Sequence, residues 1–133
     1  MAGPKVNNVI RIPASINKDF FRLWIEFLTP LHNLTCKERD VLAAFIKKRF
    51  ELTKSVSDDT LIDKILFSRE NVADVKKECN ISNSYYKLVM VKLRKTKAIS
   101  EGRINPKFIP KGLSFDDKSF QLLFFFDLNG GNV

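Results

Sequence analysis

Between residues 68 and 97 the sequence reads SRENVADVKKECNISNSYYKLVMVKLRKTK, two short amphipathic runs divided by a tight turn. No other feature constrains the fold of this chain as strongly. Ser68 can accept from a free N–H of a first helical turn. Val72 and Val75 then face inward three residues apart. Around Cys79-Asn80-Ile81-Ser82 the helix must stop and restart. Asn80 tolerates the left-handed conformation that ends a helix, and Ser82 is a good cap for the next one. On that second helix Tyr86, Val89, Met90 and Leu93 follow the spacing of one buried face.

This pair of helices resembles the helix-turn-helix of DNA-binding proteins, whose second helix enters the major groove. Val75, Cys79, Ile81, Tyr86 and Val89 fall where that motif keeps its apolar core. Lys76 stands where the motif usually has a small residue, and Asn80 replaces its usual glycine. The resemblance implies a recognition face of Ser82, Asn83, Ser84 and Lys87, able to read base edges, with Arg94 and Lys95 on phosphates. Leu88 and Val91 fall in the middle of the same face. They suit thymine methyls or, equally, a protein contact.

Charge is placed to match. The chain of 133 residues carries 23 Lys and Arg against 15 Asp and Glu, a net +8. From Arg69 to Lys111 eleven basic residues face four acidic ones, so this third of the chain holds +7 and the remainder +1. A basic region coinciding with the motif is what a phosphate footprint requires; a positive surface kept for solubility would look similar.

The rest of the sequence predicts a single domain, mainly α with a small antiparallel sheet. Its parts are an N-terminal strand and aromatic helix (1–34), a helical core (35–97), a wing (98–128) and a tail (129–133). Val9-Ile10-Arg11-Ile12, closed by Pro13, reads as an edge strand. Asn17 is the expected cap of a helix with Phe20, Leu23, Trp24, Phe27, Leu28 and Leu31 on one stripe. Phe21 and Ile25 widen that stripe, either by central burial or as a surface for another subunit. Thr35 and Glu38 form a capping box that opens a long helix to about Thr53. Val41, Leu42, Phe45 and Ile46 point inward on it, and Lys47, Lys48 and Arg49 outward. Its opening words, LTCKERDVL, are similar to those of LuxR-type regulators, but here a further helix, capped by Ser57 with Leu61, Ile62, Ile65 and Leu66 inward, intervenes before the motif.

After the motif, residues 98–104 and 119–128 read as two strands. Two strands in that place make the wing of a winged helix, and RINPKFIPKG resembles the wing of replication and regulatory proteins from plasmids and phages. In that family the wing touches the DNA backbone, a role the resemblance assigns here to Arg103, Lys107 and Lys111. The triple Phe124-Phe125-Phe126 predicts a strand covered on both faces, which makes Phe124 and Phe126 interface candidates beside Phe21, Ile25, Leu88 and Val91.

No catalytic constellation is legible. His32 is the only histidine, no phosphate-cradling glycine loop is present, and Asp58, Asp59 and Asp63 sit where a helix start favours acids. Cys36 and Cys79 lack metal-ligand company and fit burial in a reducing compartment. Without an apolar leader or a membrane-length run, the expected setting is cytoplasmic, or a virion if the chain is of phage origin. The sequence therefore predicts a non-catalytic winged-helix regulator or replication factor without a cofactor. Its expected partners are duplex DNA and either itself or another protein, with no membrane and no small-molecule substrate. The alternative is an assembly protein, such as a phage virion or adaptor component, using the same fold for subunit contacts.

Overall fold

A computed structural model describes residues 8–128. Its helices are α1 (Phe20–Phe27), α2 (Thr29–His32), α3 (Cys36–Leu52), α4 (Asp59–Leu66), α5 (Arg69–Glu78) and α6 (Asn83–Lys95). A hairpin follows, β1 (Ile99–Ser100) and β2 (Arg103–Ile104), and then a 3-10 turn at Pro106–Phe108. Among the described residues the chain is thus mainly helical, with one two-stranded antiparallel sheet.

The fold is built around α3. Its centre, Val41 through Ile46, is buried at six consecutive positions, more than one turn and therefore on every side. The helices α1, α4, α5 and α6 supply that cover. The capping box forms as expected, with Glu38 Oε1 accepting from the Thr35 N–H at 2.9 Å. Lys47, Lys48 and Arg49 do not simply point to water. They are half-buried and clasp neighbouring helices: Lys47 reaches Glu78 and Lys48 reaches Asp74, each at 3.7 Å, while Arg49 reaches Asp59 at 3.4 Å.

Helix α1 begins differently from the expectation. Three successive N–H groups, of Lys18, Asp19 and Phe20, converge on the Ser15 carbonyl, and Asp19 Oδ1 accepts from the Ser15 N–H at 2.7 Å. Ser15 and Asp19 organise this start, and Asn17 caps nothing. The buried seam is Phe21, Trp24, Ile25 and Leu28, while Phe27 and Leu31 are exposed. Phe21 and Ile25 are therefore core residues, which removes them as candidates for an outer surface. Trp24 donates its indole N–H to the Phe108 carbonyl at 2.8 Å, tying α1 to the turn beyond the hairpin. His32 is also internal: Nδ1 accepts from the Leu34 N–H at 2.9 Å, so Nε2 carries the proton and donates to the Ile25 carbonyl at 2.8 Å.

Asp58, one residue beyond the expected Ser57, caps α4 by accepting from the Thr60 N–H at 2.9 Å. A carboxylate at that place also complements the helix dipole. Ile62 and Leu66 are buried on α4, and Leu61 is exposed.

The sheet is smaller than the sequence predicted. Ile99 pairs with Ile104 and Ser100 with Arg103, across a Glu101-Gly102 turn in which both residues have positive φ, 55° and 70°. This is the mirror-image two-residue turn whose twist suits a hairpin. Neither 9–12 nor 119–128 is a strand, and neither joins the sheet. Aromatic packing draws the later segment elsewhere. Phe120 lies 5.6 Å from the Phe20 ring and 5.5 Å from that of Trp24, and Phe115 stacks on Phe50 at 4.0 Å. The chain after the hairpin is thereby held against α1 and the end of α3. Phe124, Phe125 and Phe126 are exposed rather than covered on both faces. The tail 129–133 and the first seven residues lie outside the described residues.

Candidate nucleic-acid interface

Helices α5 and α6 are placed by their own local chemistry. Ser68 Oγ accepts from the Asn71 N–H at 3.4 Å and Ser82 Oγ from the Tyr85 N–H at 3.1 Å, so both caps form. Between them the Ile81 N–H donates to the Lys76 carbonyl at 3.0 Å and the Asn80 N–H to that of Lys77 at 3.1 Å. That pair of bonds is a Schellman stop, and Asn80 takes the left-handed φ of 53° it requires. Val75, Cys79, Val89, Met90 and Leu93 bury the inner side. Ile81 and Tyr86 pack partly against them, and burial raises the Tyr86 pKa. Lys76 does as a long stem allows: its ammonium donates to Asn83 Oδ1 at 3.1 Å and lies 5.6 Å from the Tyr86 ring.

Because α6 buries Val89, Met90 and Leu93, Ser84, Leu88, Val91 and Lys95 run in one row along its outer side at four-three-four spacing. Lys87 and Arg94 flank the row on one side, Tyr85 and Lys92 on the other. No Asp or Glu occurs in α6. Ser84, Lys87, Arg94 and Lys95 are exposed, and their side chains make no hydrogen bond or ion pair among the described residues. Two other candidate readers are partly occupied. The Ser82 hydroxyl serves its cap, and the Asn83 carbonyl oxygen takes Lys76, which leaves the Asn83 amide N–H groups as donors. Leu88 and Val91 are 68% and 60% exposed, so the centre of this basic face is apolar.

The hairpin basic residues are not equivalent. Arg103 Nε lies 3.2 Å from Asp63 Oδ2, and Asp63, nearly buried, also faces Arg49 Nε at 3.8 Å. Asp63 thus anchors β2 to α4 and α3, and Arg103 has an internal partner although its side chain is 65% exposed. Lys107 is exposed with its ammonium 5.2 Å from the Phe108 ring, and Lys111 is exposed in the turn beyond. The hairpin tip is Glu101, an acid. Sequence reasoning missed the Asp63–Arg103 link. The only signal for it was an acid on the inward side of an amphipathic helix.

A second concavity, about 440 Å³, lies where α1, α3 and the end of α5 meet. Its cations are already engaged, since Lys37 donates to the Cys79 carbonyl at 3.2 Å, Arg22 pairs with Asp40 and Lys47 with Glu78. Burial, with Asp40 and Glu78 nearby, pushes the Cys79 thiol up to about 11, so it stays protonated and unreactive at neutral pH. Cys36, expected to be buried, is exposed. Among the described residues no three His, Cys, Asp or Glu side chains group as metal ligands, and no helix is long and apolar enough to cross a membrane.

Compared with models of known families, with curated proteins and with solved structures, the chain shows no match in any of the three.

Proposed function

We propose that the protein is a winged helix-turn-helix DNA-binding protein, a regulator or replication factor that lays α6 against duplex DNA. One observation carries this reading: the outward side of α6 presents Lys87, Arg94 and Lys95 with no acid on the helix, directly after a capped, tightly turned partner helix. Ser84, the Asn83 amide and Lys87 lie in the first two turns, within reach of base edges. Arg94 and Lys95 lie toward the C-terminal end, where a phosphate backbone would pass. Lys107 and Lys111 extend the positive surface beyond the hairpin. Arg103, paired with Asp63, mainly fixes the hairpin.

Titration against random duplex DNA at several salt concentrations tests the reading. With roughly five phosphate contacts, the log–log slope of affinity on salt should lie near −4 to −5. Binding indifferent to salt, or absent at low salt, would overturn it.

The exposure of Leu88 and Val91 favours one alternative, an assembly protein whose α6 docks on another subunit. Leu88→Lys separates the two. On DNA the added charge tightens non-specific binding. In a subunit contact it breaks the assembly, because an unpaired charge enters an apolar interface.

A further inference from the structure

Residues 121–126, Gln-Leu-Leu-Phe-Phe-Phe, belong to no helix or strand, and every one of them is exposed. Leu122, Leu123, Phe124 and Phe126 line the side nearest α1, and exposure rises from 41% at Leu122 to 80% at Phe126. Phe120 holds the start of the segment on Phe20 and Trp24. Among the described residues the backbone N–H and C=O groups of 121–126 bond to nothing. The segment is therefore rich in residues that favour strands and has no backbone hydrogen-bonding neighbour among the described residues. Beside it, an open apolar groove of about 570 Å³ runs between α1 and residues 8–14, where Val9 and Ile10 are also exposed.

We infer that this edge is the contact between two copies of the chain, with 121–126 of each pairing antiparallel about a two-fold axis. Three observations favour a second copy over another occupant. No residue from Gln121 to Phe126 is charged, so self-pairing sets no like charges opposite each other. A two-fold pairing would also satisfy the free ladder groups of both copies by one set of bonds. The third is area. The exposed parts of the large apolar side chains in 9–12 and 122–128 offer on the order of 1,000 Å² per copy, taking about 150 Å² or more for each in full. A stable dimer buries about 800 Å² per partner. A monomer exposing so continuous an apolar patch would be unusual. The inference does not rest on the nucleic-acid reading, which concerns α6.

The test is the solution mass at about 100 µM, far above the micromolar Kd of even a weak interface of this size. Twice the chain mass of 15.3 kDa is expected, with the amides of 121–126 slowed in hydrogen exchange relative to a dilute sample. Leu123→Asp and Phe125→Asp, at two exposed positions, should each give a monomer whose thermal transition stays within a few degrees of the parent. Four outcomes would overturn the inference. These are a monomeric parent, a dimer that survives both substitutions, a dimer whose 121–126 amides exchange freely, or a monomer that sediments with anionic lipid vesicles. The DNA titration proceeds independently on either species, so failure here leaves the proposal for α6 standing.

Discussion

Single side chains divide into those already satisfied within the fold and those left exposed. Lys87 belongs to the second group and Arg103, through Asp63, largely to the first. If α6 reads DNA, Lys87→Ala should cost roughly 1–3 kcal/mol on a preferred site and little on random sequence. Arg103→Ala should instead loosen the hairpin, lowering the unfolding temperature while weakening all DNA alike; competition binding alongside a melting curve distinguishes the two. His32 gives a pH dependence. Burial lowers its pKa below the ordinary 6.5, outweighing the bond to the Ile25 carbonyl. Below pH 6.5 the unfolded chain therefore takes up a proton before the folded protein does. Stability from this residue is present above 6.5 and is lost as pH falls toward the folded value. Since His32 is the only histidine, its ring signals in NMR should report a midpoint below 6.5 directly. A midpoint at or above that value would contradict the burial described here.

At the level of elements, local chemistry and tertiary demand agree in α5 and α6 but conflict in the hairpin. Ser68, Asn80 and Ser82 each supply what their backbone positions need, so the turn needs no help from the rest of the fold. Two residues are exceptions, Lys97 at φ 63° just beyond α6 and Glu101 in the hairpin. A non-glycine residue at φ 55° is held left-handed by the register of Ile99 on Ile104, a conformation disfavoured by about 1–2 kcal/mol outside Gly, Asn and Asp. Glu101→Asn should recover about 0.5–1 kcal/mol and raise the unfolding temperature by a few degrees. It also removes the acid from the hairpin tip. If that tip approaches phosphate, DNA affinity should rise in the same variant; a calorimetric scan and a binding curve on one preparation check both.

Across the whole molecule, apart from Leu88 and Val91 within the basic face, the positive excess and the apolar segment occupy different stretches of the chain. The positive excess lies in 69–111, whereas 121–126 carries no charge. Salt should therefore weaken DNA binding through counterion release while strengthening self-association by screening the net +8. Opposite slopes in light scattering and DNA anisotropy would demonstrate two independent surfaces. The same separation explains what could be foreseen. The sequence by itself determined α3, α5, α6 and the stop between the last two, because capping boxes, serine caps and a left-handed asparagine act within a few residues of the bonds they make. It also determined the inward positions Val75, Val89, Met90 and Leu93, since a 3.6-residue period needs only one side to be buried. Which stripe of α1 turns inward was decided in three dimensions: nearly every side of that helix is apolar, and α3 together with the Phe108 carbonyl selected Phe21, Trp24 and Ile25. The fate of 119–128 was decided there too. Its composition asks for a strand, but a strand exists only where another backbone offers hydrogen bonds. Within one copy Phe20 and Trp24 hold Phe120 against α1, away from the hairpin. The Asp63–Arg103 pair, forty residues apart in sequence, likewise depended on two elements meeting. Local bonds can be read from neighbouring residues; long-range partners exist only once the chain has folded around α3.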